Sequence, residues 1–185
     1  MADTVDHLLF ARDMPRTSDA ARGAAAEARR AAAALGLTEV LWTPRLSQIR
    51  PAGVWASWEW AVYWLLDRLG VFAPGRYRVL KLVDGAGRAV FYAAILPTYW
   101  RTPFIARDEV QIGPIRVLPE DRGKGLAPIG VTLLLATLEP SVKRVWYITR
   151  SDNTRSIALA AKTGFRPAGE AVRIGASALS RFVRA

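Results

Sequence analysis

The residues of this chain best suited to chemistry lie in one stretch, Ile115-Arg116-Val117-Leu118-Pro119-Glu120-Asp121-Arg122-Gly123-Lys124-Gly125-Leu126-Ala127. It reads as a strand, a tight turn and the first turn of a helix. The first amides of a helix lack partners within it, and the macrodipole places about half a positive charge there. Gly123 and Gly125 let a bulky anion come up to the backbone and permit a positive φ. Arg122 and Lys124 add charge. In chemical terms this is a cradle for a pyrophosphate. The G-x-x-x-x-G-K-S/T spacing of a Walker loop is missing. The G-x-G-x-x-G dinucleotide fingerprint is missing too, because Pro128 stands where its third glycine should be. Taken by itself, the stretch also suits an ordinary strand–turn–helix whose glycines make only the turn.

The stretch resembles a known signature. Arg122 to Ala127 is similar to the R/Q-x-x-G-x-G/A motif of the GNAT acyltransferases, and Ile115, Val117 and Pro119 match its hydrophobic–x–hydrophobic–x–Pro lead-in. Further on, Asn153, Ser156, Lys162, Gly164 and Phe165 resemble the family's N-x-x-A/S-x-x-x-x-x-K-x-G-F. The likeness covers residues 109–166 well, rests on strand pattern alone over 76–108, and hardly reaches 1–75.

The resemblance implies an α/β (α+β) fold. Its mixed, mostly antiparallel sheet splays between the fourth and fifth strands and carries helices on both faces. It also implies acetyl-CoA, or another acyl-CoA, as cosubstrate, with no metal. The pyrophosphate would sit on the turn amides of Arg122, Gly123, Lys124, Gly125, Leu126 and Ala127. The pantetheine arm would add to the open edge of the fourth strand, near Ile115 and Val117, as a strand does. Gly followed by Pro inside a strand marks a bulge, so Gly113–Pro114 would open the slot for the thioester. Asn153 would lie near the arm, or cap the helix that follows; the two roles are compatible.

The implied chemistry is direct attack of a neutral amine on the thioester. Positioning and polarisation of the carbonyl would do most of the work. Glu109 is the preferred base, with Asp108 beside it and Gln111 placed to order a water. Such a base needs a pKa lifted towards neutrality. One position departs from the family pattern. Where many members carry a Tyr as general acid for the leaving thiolate, this chain has Ala160. Tyr147, on the fifth strand, is the substitute candidate.

The acceptor would be a small-molecule amine, met by the aromatic run of residues 55–64 and by Tyr99, Trp100, Arg101 and Phe104, with Arg107 nearby. The same aromatics also suit a plain core between helix and sheet. The Gly123-Lys124-Gly125-x-x-Pro128 variant is similar to family members of amino-sugar and surface-polysaccharide pathways, which makes an amino sugar one candidate. Transfer of a longer acyl chain and transfer to a protein lysine are the other enzymatic readings. A catalytically degenerate binding module, for a nucleic-acid or protein partner, is a reading of another class. No helix-turn-helix, zinc or RNA-recognition signature supports a specific nucleic acid. The early helices would equally dock a second copy in a homodimer.

These residues need a scaffold, and the 185-residue chain, 51% hydrophobic, suffices for one core. With no cysteine, a disulfide framework, a cysteine nucleophile and a thiolate zinc site are excluded. The formal charge of +10 is carried almost wholly by arginine, since only Lys81, Lys124, Lys143 and Lys162 are lysines. Such a surface attracts anions over roughly 8 Å, though Arg with abundant Ala also follows from base composition. Residues 1–10 lack the apolar run of a signal peptide. Residues 54–73 are the most apolar window, but Glu59, Asp67 and Arg68 make it a buried or interfacial helix rather than a membrane span. A cytoplasmic location is the expectation.

Residues 1–17 read as loosely ordered. An Ala-rich helix runs from a Ser18 cap to Gly36, so residues 1–36 form a partly helical extension and 37–185 the acyltransferase domain. A short strand covers 39–42. A helix covers 54–69, with Trp55, Trp58, Val62, Leu65 and Leu69 on one face and Trp60, Tyr63 and Trp64 on the other. Strands follow at 77–83 and 89–96, joined by an Asp84-Gly85 hairpin, then at 109–118. A helix at 126–138, a strand at 142–148, a helix at 153–163 and one or two strands within 170–183 complete the chain.

Overall fold

The computed structural model describes residues 6–14, 19–54, 58–73, 75–175 and 180–185. In chain order the elements are β1 (His7–Asp13), α1 (Asp19–Ala34), β2 (Thr38–Trp42), α2 (Glu59–Arg68), β3 (Arg78–Val83) and β4 (Ala89–Leu96). There follow β5 (Glu109–Val117), a 3-10 turn (Pro119–Asp121), α3 (Leu126–Ala136), β6 (Arg144–Arg150), α4 (Thr154–Lys162), β7 (Arg166–Ile174) and β8 (Arg181–Arg184). Ser18 and Trp55 lie outside the described residues.

The strands form one sheet in the order β2-β3-β4-β5-β6-β1-β7-β8. Only β5 and β6 run parallel; all other neighbours are antiparallel. This is the mixed α/β fold expected. The hairpin of β3 and β4 turns at Asp84, whose Oδ1 accepts from the amides of Ala86 and Arg88. The expected fourth and fifth strands are β5 and β6 here, because one strand precedes them.

That strand is a correction. Residues 7–13 are not loosely ordered: β1 fills the interior of the sheet between β6 and β7. Leu8 and Phe10 face one side and Leu9 and Ala11 the other, and both sides are packed. A strand covered on both faces shows no polar alternation, so it leaves no period of two to read. The segment expected as an extension thus contributes β1 to the sheet and α1 to the core.

One face of the sheet carries α1, α3 and α4. Leu80, Leu82, Phe91, Ala93, Ile95, Val110, Ile112, Val145 and Tyr147 pack there against Val131, Leu133, Leu134 and Ala160. The Ala-rich α1 docks through Ala25, Ala28 and Ala32, a stripe small enough for close approach. The other face carries α2, whose Trp60 and Tyr63 join Trp42, Tyr77, Val79, Tyr92 and Ala94.

Of the two apolar sides of α2, the one that carries Trp60 and Tyr63 is buried. The stripe Trp58, Val62, Leu65 and Leu69 points outward, with Trp58 58% and Leu69 68% exposed. Trp60 stacks on Tyr77 at 6.4 Å, and Tyr63 meets Phe72 and Tyr77 at 5.9 and 5.6 Å. Where a helix is apolar on both sides, the larger aromatic contact decides which side is buried. Among the described residues, no helix is long and apolar enough to cross a membrane.

Candidate active site

β5 and β6 pair only from Glu109 opposite Arg144 to Ile112 opposite Tyr147. Beyond that point β5 stays with β4 as far as Val117, and β6 stays with β1 as far as Arg150. The divergence begins at a bulge. On β4 only Ala94 separates the partners of Ile115 and Ile112, whereas on β5 both Gly113 and Pro114 do. Gly113 has φ 141°, which L side chains rarely adopt. The edge of β5 from Gly113 to Val117 is therefore open towards β6, at the position the sequence indicated.

Because β5 and β6 are parallel and each leads into a helix, α3 and α4 begin at the same end, at the mouth of this fork. A cavity of about 1670 Å³ runs through it. Its walls are β5 from Ile112 to Val117, the turn residues Arg122, Gly123 and Gly125, the start of α3, Tyr147 and Ile148 on β6, and one side of α4.

The turn has the backbone of an anion cradle. Gly123 and Gly125 have φ 83° and 76°, and Gly125 caps α3 without a side-chain hydrogen bond. A Cβ built on either glycine meets nothing within 4 Å, so the space before the first amides of α3 is open. The loop and the open strand edge fit the pyrophosphate and the amide-bearing arm of coenzyme A. The charges differ from the sequence reading. Lys124 Nζ lies 2.7 Å from Asp121 Oδ1, and it borders a separate cavity of about 340 Å³. Asp121 is buried and also within 3.5 Å of Arg88, which pairs with Asp84 and Glu120 as well. Arg122 has no ion-pair partner among the described residues and is the open cation of the turn.

Tyr147 stands at the apex of the fork. It is buried, its ring meets Phe165 edge-on at 5.4 Å, and its hydroxyl lies 2.7 Å from Ser156 Oγ on α4. Burial pushes the phenol above its ordinary range, and the Ser156 hydrogen bond offsets part of that rise. Ala160, one turn beyond Ser156, is 0% exposed and belongs to the core. Asn153 caps α4 by accepting from the Ser156 amide at 3.1 Å, and it also lines the cavity. Ile115 and Val117 lie on the open edge.

Glu109 is not brought to the cavity wall. It sits three residues before the fork, about 10 Å along the strand. Its Oε2 accepts from Trp146 Nε1 at 2.7 Å and from the Ala106 amide at 3.1 Å, and Oε1 is 3.7 Å from Arg144. Asp108 pairs with Lys143. Gln111, on the same side of the strand as Glu109, is 9% exposed, and its Oε1 has no hydrogen-bond partner.

Of the aromatics expected around an acceptor, Trp60 and Tyr63 are core, Tyr99 and Phe104 pack at its edge, Trp58 and Trp100 are exposed, and none of these lines the main cavity. Arg101 is buried and donates to Tyr63 Oη and to the Ser180 carbonyl. On the α2 side, the cavity is rimmed instead by Gly53, Val54 and Tyr92. Sequence reading also missed Arg155, Ala158 and Leu159, which line the cavity with Lys162. Their signal was present, since 155, 158, 159 and 162 repeat at helical spacing on one face.

The family model described as "Acetyltransferase (GNAT) family" matches residues 34–165. None of the curated proteins matches the chain. Among solved structures, a GCN5-related N-acetyltransferase from Sphaerobacter thermophilus is similar at TM-score 0.52 and 15% identity, covering 90% of this chain and 49% of that one. A GNAT acetyltransferase from Colwellia psychrerythraea gives 0.45 and 17%, covering 89% and 53%. The ribosomal-protein-S18-alanine N-acetyltransferase of Escherichia coli gives 0.42 and 17%, covering 78% and 88%. At such identities the likeness is one of fold. The chain spans about half to three fifths of the length of the first structures it matches.

Proposed function

Because the chain belongs to the GNAT family of acetyltransferases, we propose that it is an acyl-CoA-dependent N-acyltransferase of the cytoplasm. In this reading it moves an acetyl group from acetyl-CoA to the primary amine of a small molecule, an amino sugar being one candidate. The observation that carries the reading is the open edge of β5 from Gly113 to Val117, which leads from Tyr147 to the glycine cradle. An extended amide-bearing arm can pair with that edge while its pyrophosphate meets the first amides of α3.

The chemistry is then direct. The amine nitrogen attacks the thioester carbonyl carbon, the C–N bond forms and the C–S bond breaks. Amides on the open edge polarise the carbonyl oxygen. Tyr147 gives its proton to the departing sulfur and recovers one from the nitrogen. Its raised pKa keeps that proton in place until it is needed. The one net proton released is that of the starting ammonium. It passes to Glu109, which stands off the cavity wall, along a chain of waters that includes one held by Gln111, whose Oε1 otherwise has no donor. The ring of Tyr92 beside Val54 at the rim suits an acceptor with an apolar or ring-shaped body.

Calorimetric titration with acetyl-CoA tests this reading, followed by thiol-release assays over a panel of amines. Saturable binding near one site per chain, with amine-dependent release, is the expected result. A folded sample that binds no coenzyme A would remove the reading. One observation favours a second one, a binding module without turnover: Ala160 occupies the position of the family's acid. Coenzyme A binding with no thiol release from any amine would select it.

A further inference from the structure

We propose that the acceptor amine also carries an anionic group, a carboxylate or a phosphate, and that Arg116 binds it on the side of the sheet turned away from α3 and α4. The inference rests on the acyl-CoA reading and adds to it the charge of the acceptor.

The two sides of the fork differ in charge. Ile115 and Val117 pack towards the core beneath α1, α3 and α4, so Arg116 between them points to the opposite side. It is exposed there on the cavity wall. Its cross-strand partner is Tyr92, which belongs to the core on the α2 side, and opposite residues of an antiparallel pair share a face. Gly53, Val54, Pro114 and Ile148 complete the wall around them. Lys81 follows Tyr92 in the same cross-strand row. It donates to the Ala52 carbonyl at 2.8 Å, next to the rim residues Gly53 and Val54. The other cations of the wall are Arg122 on the turn and Arg155 and Lys162 on α4. The one carboxylate on the wall among the described residues, Asp121, is on the turn and held by Lys124. The acceptor's side of the wall therefore presents a guanidinium, with a second cation close behind, and no carboxylate. An amine of several positive charges meets repulsion there, whereas an amine joined to an anion finds a partner for it.

The spacing sets the size of the acceptor. Ile112 lies opposite Tyr147 at the apex. On β4 the partners of Ile112 and Arg116 are Ile95 and Tyr92, three residues or about 10 Å apart. An arginine side chain covers part of that span. The amine and the anion then lie a sugar ring or a short chain apart, above the ring of Tyr92.

The test is thiol release from acetyl-CoA with two matched pairs, glucosamine 6-phosphate against glucosamine and γ-aminobutyrate against γ-aminobutyramide, and with spermidine as a polycation. In wild type, at least one charged member should exceed its neutral partner in kcat/KM by roughly tenfold, the range of a partly screened charge-assisted bond. The pair that shows it tells phosphate from carboxylate. Added salt should shrink the ratio. Arg116→Gln should bring it near one and Arg116→Lys should keep part of it, with folding checked by circular dichroism and coenzyme A affinity by calorimetry. Charged and neutral members used alike, spermidine used best, no amine used, or a preference that survives Arg116→Gln overturns the assignment. So does a loss of coenzyme A affinity in folded Arg116→Gln, which would give Arg116 to the cosubstrate. Wild type that still binds coenzyme A in any of these cases keeps the acyl-CoA reading; wild type that binds none overturns both.

Discussion

The hydroxyls of Tyr147 on β6 and Ser156 on α4 lie 2.7 Å apart, joining the strand at the apex of the fork to the helix that covers it. In the proposed reaction the phenol held by this bond is the acid for the departing sulfur, while Ala160 belongs to the core. Tyr147→Phe keeps the ring and its contact with Phe165 but removes the proton. Turnover should fall roughly 10²-fold, with coenzyme A affinity unchanged. Because the Ser156 bond lowers the phenol's pKa against the rise caused by burial, Ser156→Ala should raise it further. The alkaline limb of the rate profile should then move to higher pH. Full turnover in Tyr147→Phe would leave Tyr147 a packing residue.

Gly125 tests the cradle. At φ 76° any side chain is strained by about 1 kcal/mol, but a Cβ there meets nothing within 4 Å, so no packing is lost. Gly125→Glu should lower Tm by only a few degrees. The carboxylate would stand before the first amides of α3, at the proposed pyrophosphate site. Coenzyme A affinity should drop by roughly 10²-fold or more. Unchanged affinity in a folded variant would move the phosphate site elsewhere.

What was legible in the sequence depends on local backbone chemistry. Gly123 and Gly125 announce a turn with positive φ, Gly113–Pro114 a bulge, Asp84 a hairpin and Asn153 a cap, and each is found there. What stayed hidden depends on partners distant in the chain. β1 is a strand because β6 and β7 flank it, with Phe10 opposite Tyr147. α2 has two apolar sides, and the one with Trp60 and Tyr63 turns inward against distant partners that include Phe72 and Tyr77. Lys124 looks like a free phosphate ligand until Asp121 is seen to hold it, whereas Arg155, Ala158 and Leu159 are seen to line the cavity only once α4 faces it.

Glu109→Gln separates two roles of one carboxylate. The side chain accepts from Trp146 and from the Ala106 amide, so it also fastens the start of β5. As the base, it should on substitution lower the rate and shift the acidic limb of the pH profile. As a fastener alone, it should lower Tm and leave the profile's shape intact. The profile, measured at saturating acetyl-CoA, decides between them.

Alkali should unfold the protein through its buried phenols. Burial raises the pKa of Tyr63, Tyr77 and Tyr147 above the ordinary value of 10.0. A group held protonated in the folded state keeps its full contribution below the unfolded pKa and loses it as pH rises towards the folded one. Stability should therefore hold to about pH 10 and decline above it. Phenolate absorbance from these three residues should rise together with the loss of circular dichroism. Ionisation of all five tyrosines in a still-folded protein would show that these phenols are open to solvent.

Gly130 sets how closely α3 lies on the sheet. A Cβ at this position would come 2.0 Å from Cε1 of Phe91 and 2.4 Å from its Cζ. Phe91 is 0% exposed, so its ring has no solvent-facing space to enter. Gly130→Ala gains about 1 kcal/mol of helix propensity, but the overlap costs about 1–3 kcal/mol through forced shifts of ring or helix. A net loss is expected, read as a lower Tm. The shift would also move Leu126 and the glycine cradle that begins the same helix, so coenzyme A affinity should fall with it. Phe91→Leu in the same chain clears the ring and should recover part of both losses. A Gly130→Ala variant as stable as wild type would mean that α3 can lift from β4 without disturbing the core.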